Sequence, residues 1–258
     1  LTLVFSSEVL AKTHTTTASQ KSHLTKASNK QVSSKQEYSR NSAKSSSLPD
    51  LRKYPSGTPR KKAFLRTVMP YITSQNAAIT AERNWLISKQ YQGQWSPAER
   101  ARLKDIAKRY KVKWSGNTRK IPWNTLLERV DIIPTSMVAT MAAAESGWGT
   151  SKLARNNNNL FGMKCMKGRC TNAPGKVKGY SQFSSVKESV SAYVTNLNTH
   201  PAYSSFRKSR AQLRKADQEV TATAMIHKLK GYSTKGKSYN NYLFAMYQDN
   251  QRLIAAHM

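Results

Sequence analysis

The 258 residues hold 43 Lys and Arg against 13 Asp and Glu, a formal net charge of +30, so the partners that such a field attracts are polyanions: nucleic acid, anionic lipid or an acidic wall polymer. Beyond the opening residues no run approaches the ~18 apolar residues of a membrane span, so no transmembrane helix is expected within these residues. Recognition motifs for DNA or RNA are absent, and the early lysines are not interleaved with aromatics, which argues against nucleic acid.

Residues 1–11 (LTLVFSSEVLA) resemble the end of a signal peptide's apolar region, with Val9 and Ala11 at the small-residue positions of a cleavage site. An exported protein, periplasmic or in the cell envelope, is the expectation. Residues 12–59 follow as a disordered cationic tether rich in Ser, Thr and Lys, ending in a Pro-punctuated linker over 48–59. Such a stretch has too little apolar surface to offset its ordering entropy.

A helical N-terminal segment is expected over 60–130. Apolar spacing predicts helix over 60–69 (Phe64, Leu65, Val68), a break or kink at Pro70, and helix again over 72–90. Ser96-Pro97-Ala98-Glu99 places Ser at the N-cap, Pro at the first helical position and Glu at the third, opening a helix with Leu103, Ile106 and Ala107 inward. A short helix around Trp123, Leu126 and Leu127 precedes a helix from Thr135 that carries Glu145. Residues 160–183 are rich in Gly and Lys and predict a small lobe of two or three strands. Ser185-Val186-Lys187-Glu188 is a second capping box, for a helix with Val190, Tyr193, Val194 and Leu197 on one face, and further helices are expected near 211–230 and 240–256. The fold class is mainly α (α+β).

Cys165 and Cys170 are the only cysteines, in a C-x4-C spacing around a Gly. Two thiols are too few for structural zinc, leaving a disulfide that pins a short hairpin in an oxidising compartment, or two free thiols in a reducing one. The five histidines, His14, His23, His200, His227 and His257, are scattered without ligand spacing; neither a metal nor a cofactor is expected.

Chemistry points to Glu145. Val138, Met141 and Ala142 precede it by seven, four and three positions, so the acid shares an apolar helical stripe. It also falls in the helix's last turn, where the dipole disfavours a carboxylate; both effects raise its pKa and keep it protonated, as a general acid requires. Gly147 and Gly149 permit a sharp turn, and Trp148 offers an aromatic face beside the carboxyl.

Glu145-Ser146-Gly147-Trp148-Gly149 followed by Asn159-Leu160-Phe161-Gly162-Met163-Lys164 resembles the glucosaminidase signature of glycoside hydrolase family 73. His200-Pro201-Ala202-Tyr203 and Gly231-Tyr232-Ser233-Thr234 with Tyr239 follow that family's order, and the resemblance covers about residues 131–250. It implies a lysozyme-like catalytic domain over 131–258. Glu145 would protonate the glycosidic oxygen of a peptidoglycan strand, as an endo-N-acetylglucosaminidase, with anionic wall polymers as further partners and the protein a monomer. Trp148, Asn159, Phe161, Tyr232 and Tyr239 occupy motif positions as candidate substrate-binding residues, with core packing as the plainer alternative.

One departure matters. The family often carries a second Glu in the β lobe, yet no Asp or Glu lies between Glu145 and Glu188. A two-carboxylate mechanism then lacks its partner. The substrate's acetamido group, a tyrosine, Asp217 or Glu219 are the substitutes, and a lytic transglycosylase or a non-catalytic cationic wall-binding protein are the alternative functions. Gly231-Tyr232-Ser233-Thr234-Lys235-Gly236-Lys237-Ser238 also satisfies a phosphate-binding loop pattern, but helical spacing before it is the wrong context for ATP binding.

Overall fold

A computed structural model describes residues 47–165, 170, 173–229 and 236–258; the signal-peptide remnant at 1–11 and the tether as far as residue 46 lie outside the described residues. Packing begins earlier than the expected linker allows. Asp50 caps a 3-10 turn at Leu51–Lys53, and Leu48 and Leu51 are buried in the core.

Helix α1 runs unbroken over Thr58–Lys89, through Pro70. The expected break is overridden because Phe64, Leu65, Val68, Met69 and Ile72 form a buried stripe spanning the proline, while Pro70 and Arg66 face solvent. Water can satisfy the carbonyl that the missing N–H leaves free, so the loss is tolerable. The cap at Ser96 is realised in full: Ser96 Oγ accepts from the Glu99 N–H and the Glu99 carboxylate accepts from the Ser96 N–H, opening α2, Pro97–Arg109. Leu103, Ile106 and Ala107 are buried as the spacing predicts.

After α3, Trp123–Arg129, the chain enters α4, Thr135–Ser146. Its side chains from Met137 to Ala143 are all buried, the pattern of a helix enclosed on every side. Asn76 of α1 fastens the entry to it, donating to the Ile133 carbonyl at 2.7 Å and to Thr135 Oγ1 at 3.0 Å. A second fastening surrounds Asp131, whose carboxylate is 1% exposed, receives Arg214 at 3.0 and 3.1 Å, and lies 3.6 Å from Arg83. Arg210, fully buried, donates to the carbonyls of Glu128, Asp131 and Ile132, and its burial draws its pKa down to about 10.

Short α5, Lys152–Asn157, leads into the segment expected as a strand lobe. Among its described residues that segment shows two isolated antiparallel bridges, Lys164 with Tyr180 and Cys170 with Ser181. Side-chain amides take the hydrogen-bonding work that a ladder would do, and the segment has few β-branched residues to favour extended chain. Cys165 and Cys170 are joined as a disulfide.

Helix α6, Val186–Thr199, buries Val190, Tyr193, Val194 and Leu197. Its cap differs in one contact: Ser185 accepts from the Glu188 N–H, but the Glu188 carboxylate reaches Ser184. The helix expected near 211–230 is two pieces: α7 occupies Ser204–Lys215, and Asp217 turns left-handed at φ 50°. Thr221 then caps α8, Ala222–Met225, which passes into a 3-10 turn at Ile226–Lys228. Finally α9, Lys237–Ala255, lies along α4, and α1, α8 and α9 together enclose that central helix. The buried residues from Leu48 to Ile254 make one continuous cluster, so the early helices and the segment from residue 131 share a core.

Candidate active site

Glu145 sits one residue from the end of α4, and the chain leaves the helix through Gly147, Trp148 and Gly149, all left-handed with φ of 58°, 55° and 77°. The N–H groups of Gly147 and Trp148 both donate to the Ala143 carbonyl, satisfying an acceptor the helix end would otherwise expose. Buried Ser146 completes the turn: its hydroxyl donates to the Ala142 carbonyl at 2.5 Å and accepts from the Gly149 N–H at 2.8 Å. Gly149 has no room for a side chain. A Cβ there would lie 2.6 Å from Leu51 Cδ1 and 3.1 Å from Phe64, so the early segment packs against the turn that follows the acid.

The Glu145 carboxyl is partly buried between two elements that are distant in sequence. On one side lies Gly162, whose position leaves 3.3 Å between a hypothetical Cβ and Glu145 Oε2; on the other, the Tyr239 hydroxyl at the start of α9 donates to Oε1. Burial raises the Glu145 pKa above the ordinary glutamate range, and the Tyr239 hydrogen bond opposes part of that rise. A carboxyl so held keeps its proton to higher pH than an exposed glutamate and, once it has given the proton up, is stabilised as a carboxylate by the tyrosine.

The four asparagines 156–159 build the loop that carries Gly162. Asn156 donates to the Gly175 carbonyl at 2.6 Å, and Asn157 both accepts from the Val177 N–H at 2.9 Å and donates to its carbonyl at 3.1 Å. Asn158, left-handed at φ 50°, accepts from the Leu48 N–H at 3.1 Å and donates to the Phe183 carbonyl at 3.1 Å. Asn159 donates to the carbonyls of Met163 and Ser181 and accepts from the Met163 N–H. Phe161 stacks flat on Tyr193 with ring centroids 3.9 Å apart, and the Tyr193 hydroxyl donates to Met141 Sδ, one turn before Glu145. The loop is thus keyed to the acid's own helix.

Of the residues singled out from the sequence, Glu145 and Tyr239 meet directly. Trp148 is turned toward α1, edge-on to Phe64 at 5.6 Å with Lys61 Nζ 5.1 Å above its ring. Asn159 and Phe161 are 1% and 3% exposed and hold the loop from inside. Tyr232 lies outside the described residues, as do residues 230–235 of the phosphate-loop pattern; the chain entering that pattern is helical at Ala222–Met225 and Ile226–Lys228, not a buried strand. Asp217 follows α7, whose Arg214 grips Asp131 at the opposite end of α4 from Glu145. Sequence reasoning had Gly162 within the motif and Tyr193 on a helix face but did not foresee their contacts here, nor those of Asn157 and Asn158; the run of four asparagines was the available signal.

No solved structure matches the chain. The family model described as glucosaminidase, mannosyl-glycoprotein endo-beta-N-acetylglucosaminidase, matches residues 122–252, just over half of the chain. With a mainly helical, lysozyme-like fold and an acid at the end of its enclosed helix, the chain belongs to the glucosaminidase family and is a glycosidase.

Proposed function

We propose that the protein is a peptidoglycan hydrolase that cuts the glycan strand after N-acetylglucosamine, with Glu145 as general acid. The observation that carries this reading is the Glu145 carboxyl, desolvated and gripped by Tyr239 beside the Gly162 backbone. Glu145 protonates the leaving oxygen, and Tyr239 holds the carboxyl and steadies the carboxylate that forms. Glu188, the next acid in sequence, is taken up by Ser184, so the second role passes to the substrate's own acetamido group. Tyr232 and Trp148 are the aromatic candidates for the glycan groove, by motif position. The protein is exported to the envelope, its tether and net charge of +30 holding it to anionic polymers; the order of basic helices, glucosaminidase motifs and paired cysteines resembles the Bax protein of enteric bacteria.

Purified protein is expected to release reducing sugar ends from sacculi, and Glu145→Gln to reduce that release by at least about 100-fold with the fold intact. Undiminished release would remove Glu145 from its role. A lytic transglycosylase, favoured by the lone carboxyl, would instead leave anhydro sugars, which mass spectrometry of the products separates.

A further inference from the structure

Three helices converge on an open groove of about 530 Å³ lined by Arg83, Glu128, Lys208, Arg214 and Lys215 among others. It lies near the entrance to α4, whereas Glu145 is in that helix's last turn. Its lining follows helical spacing: Arg83 on α1 and Gln90 at that helix's C-cap are seven positions apart, and Lys208, Gln212 and Lys215 fall at i, i+4 and i+7 on α7.

Four of the lining residues are cations and one is an acid. Glu128 is already committed to Arg207, at 3.4 Å. The guanidiniums are fixed in place. Arg83 donates to the carbonyls of Leu127 and Val130, and Arg214 is clamped through two nitrogens on buried Asp131 while remaining 36% exposed. Lys208 and Lys215 are exposed and form no ion pair among the described residues. Fixed cations beside free ones make a receptor for anionic oxygens. The amides of Gln90, Asn124 and Gln212 add donors and acceptors that a bare phosphate would not need but a peptide backbone would use.

We infer that this groove binds a peptide bearing free carboxylates, the chemistry of the peptide branches on the glycan assigned above; that choice of ligand rests on the proposed function. The arrangement gives the enzyme a second hold on its substrate, remote from the scissile bond. Such a hold raises affinity for peptide-bearing strands and leaves the chemistry at Glu145 untouched.

Calorimetric titration of the full chain tests this with a tetrapeptide carrying two carboxylates, its fully amidated counterpart and inorganic phosphate. The dicarboxylate should bind, and amidation or the double charge reversal Lys208→Glu with Lys215→Glu should weaken binding about tenfold or more. The double variant should cleave a peptide-free N-acetylglucosamine oligomer at the wild-type rate and lose affinity for peptide-bearing sacculi. Equal binding of both peptides, or binding indifferent to the charge reversal, would overturn the inference; phosphate bound as tightly as the dicarboxylate would overturn it in favour of a phosphate ligand. Because titration requires no turnover, its outcome is independent of whether Glu145→Gln abolishes cleavage.

Discussion

At the scale of single residues, three positions bear on the proposed chemistry: Glu145, Tyr239 and Gly162. Burial opposes ionisation of Glu145 and the Tyr239 hydroxyl favours it. Tyr239→Phe removes the opposing contact, so the pKa rises further and the alkaline limb of the pH–rate profile moves to higher pH; a limb that stays in place would mean that the hydroxyl does not govern the acid. The same shift has a stability consequence. A carboxyl whose pKa is raised on folding contributes its full stability below the unfolded pKa, and that contribution is lost as pH rises through the folded value. Glu145→Gln should therefore melt higher than wild type at neutral pH, with the difference vanishing in acid. Gly162 is the third. At φ 63° and with a Cβ destined for 3.3 Å from Glu145 Oε2, Gly162→Ala incurs about 1–2 kcal/mol of backbone strain and crowds the carboxyl. Its kcat should fall at least about tenfold, with circular dichroism unchanged; a fully active variant would show that the carboxyl is not held against this backbone.

Elements explain what the sequence disclosed and what it withheld. The cap at Ser96, the buried faces of α2 and α6, and the apolar stripe below Glu145 were legible because each is set within one helical period. Long-range compensation was not. Pro70 is carried by a stripe buried against distant residues, and the described residues of the expected strand lobe make only isolated bridges while Asn157, Asn158 and Asn159 satisfy the loop backbone from the side. The pairing of Tyr239 with Glu145 spans 94 positions, beyond any local pattern. Asp131 is a similar case: on its own an ordinary acid before a helix, in the fold the anchor for Arg83, Arg210 and Arg214. Asp131→Asn leaves those guanidiniums without their anion and should cost about 3–5 kcal/mol in denaturant unfolding. A loss under ~1 kcal/mol would mean that the backbone carbonyls alone hold the cluster.

Over the whole molecule, the family match begins at residue 122, but the core does not respect that boundary. Leu48, Leu51 and Phe64 pack on Gly149 just past Glu145, and Lys61 reaches Asn250 on α9 at 2.8 Å. The early helices are thus part of what keeps the end of α4 in place. The excess of positive charge adds a longer-ranged pull toward anionic polymers that salt should weaken. The proposed chemistry rests on one carboxyl with a tyrosine partner. Digestion of purified sacculi by wild type and Glu145→Gln, read by mass spectrometry, tests it most directly: the account predicts reducing N-acetylglucosamine ends from wild type and none above background from the variant. Equal product from both would contradict it.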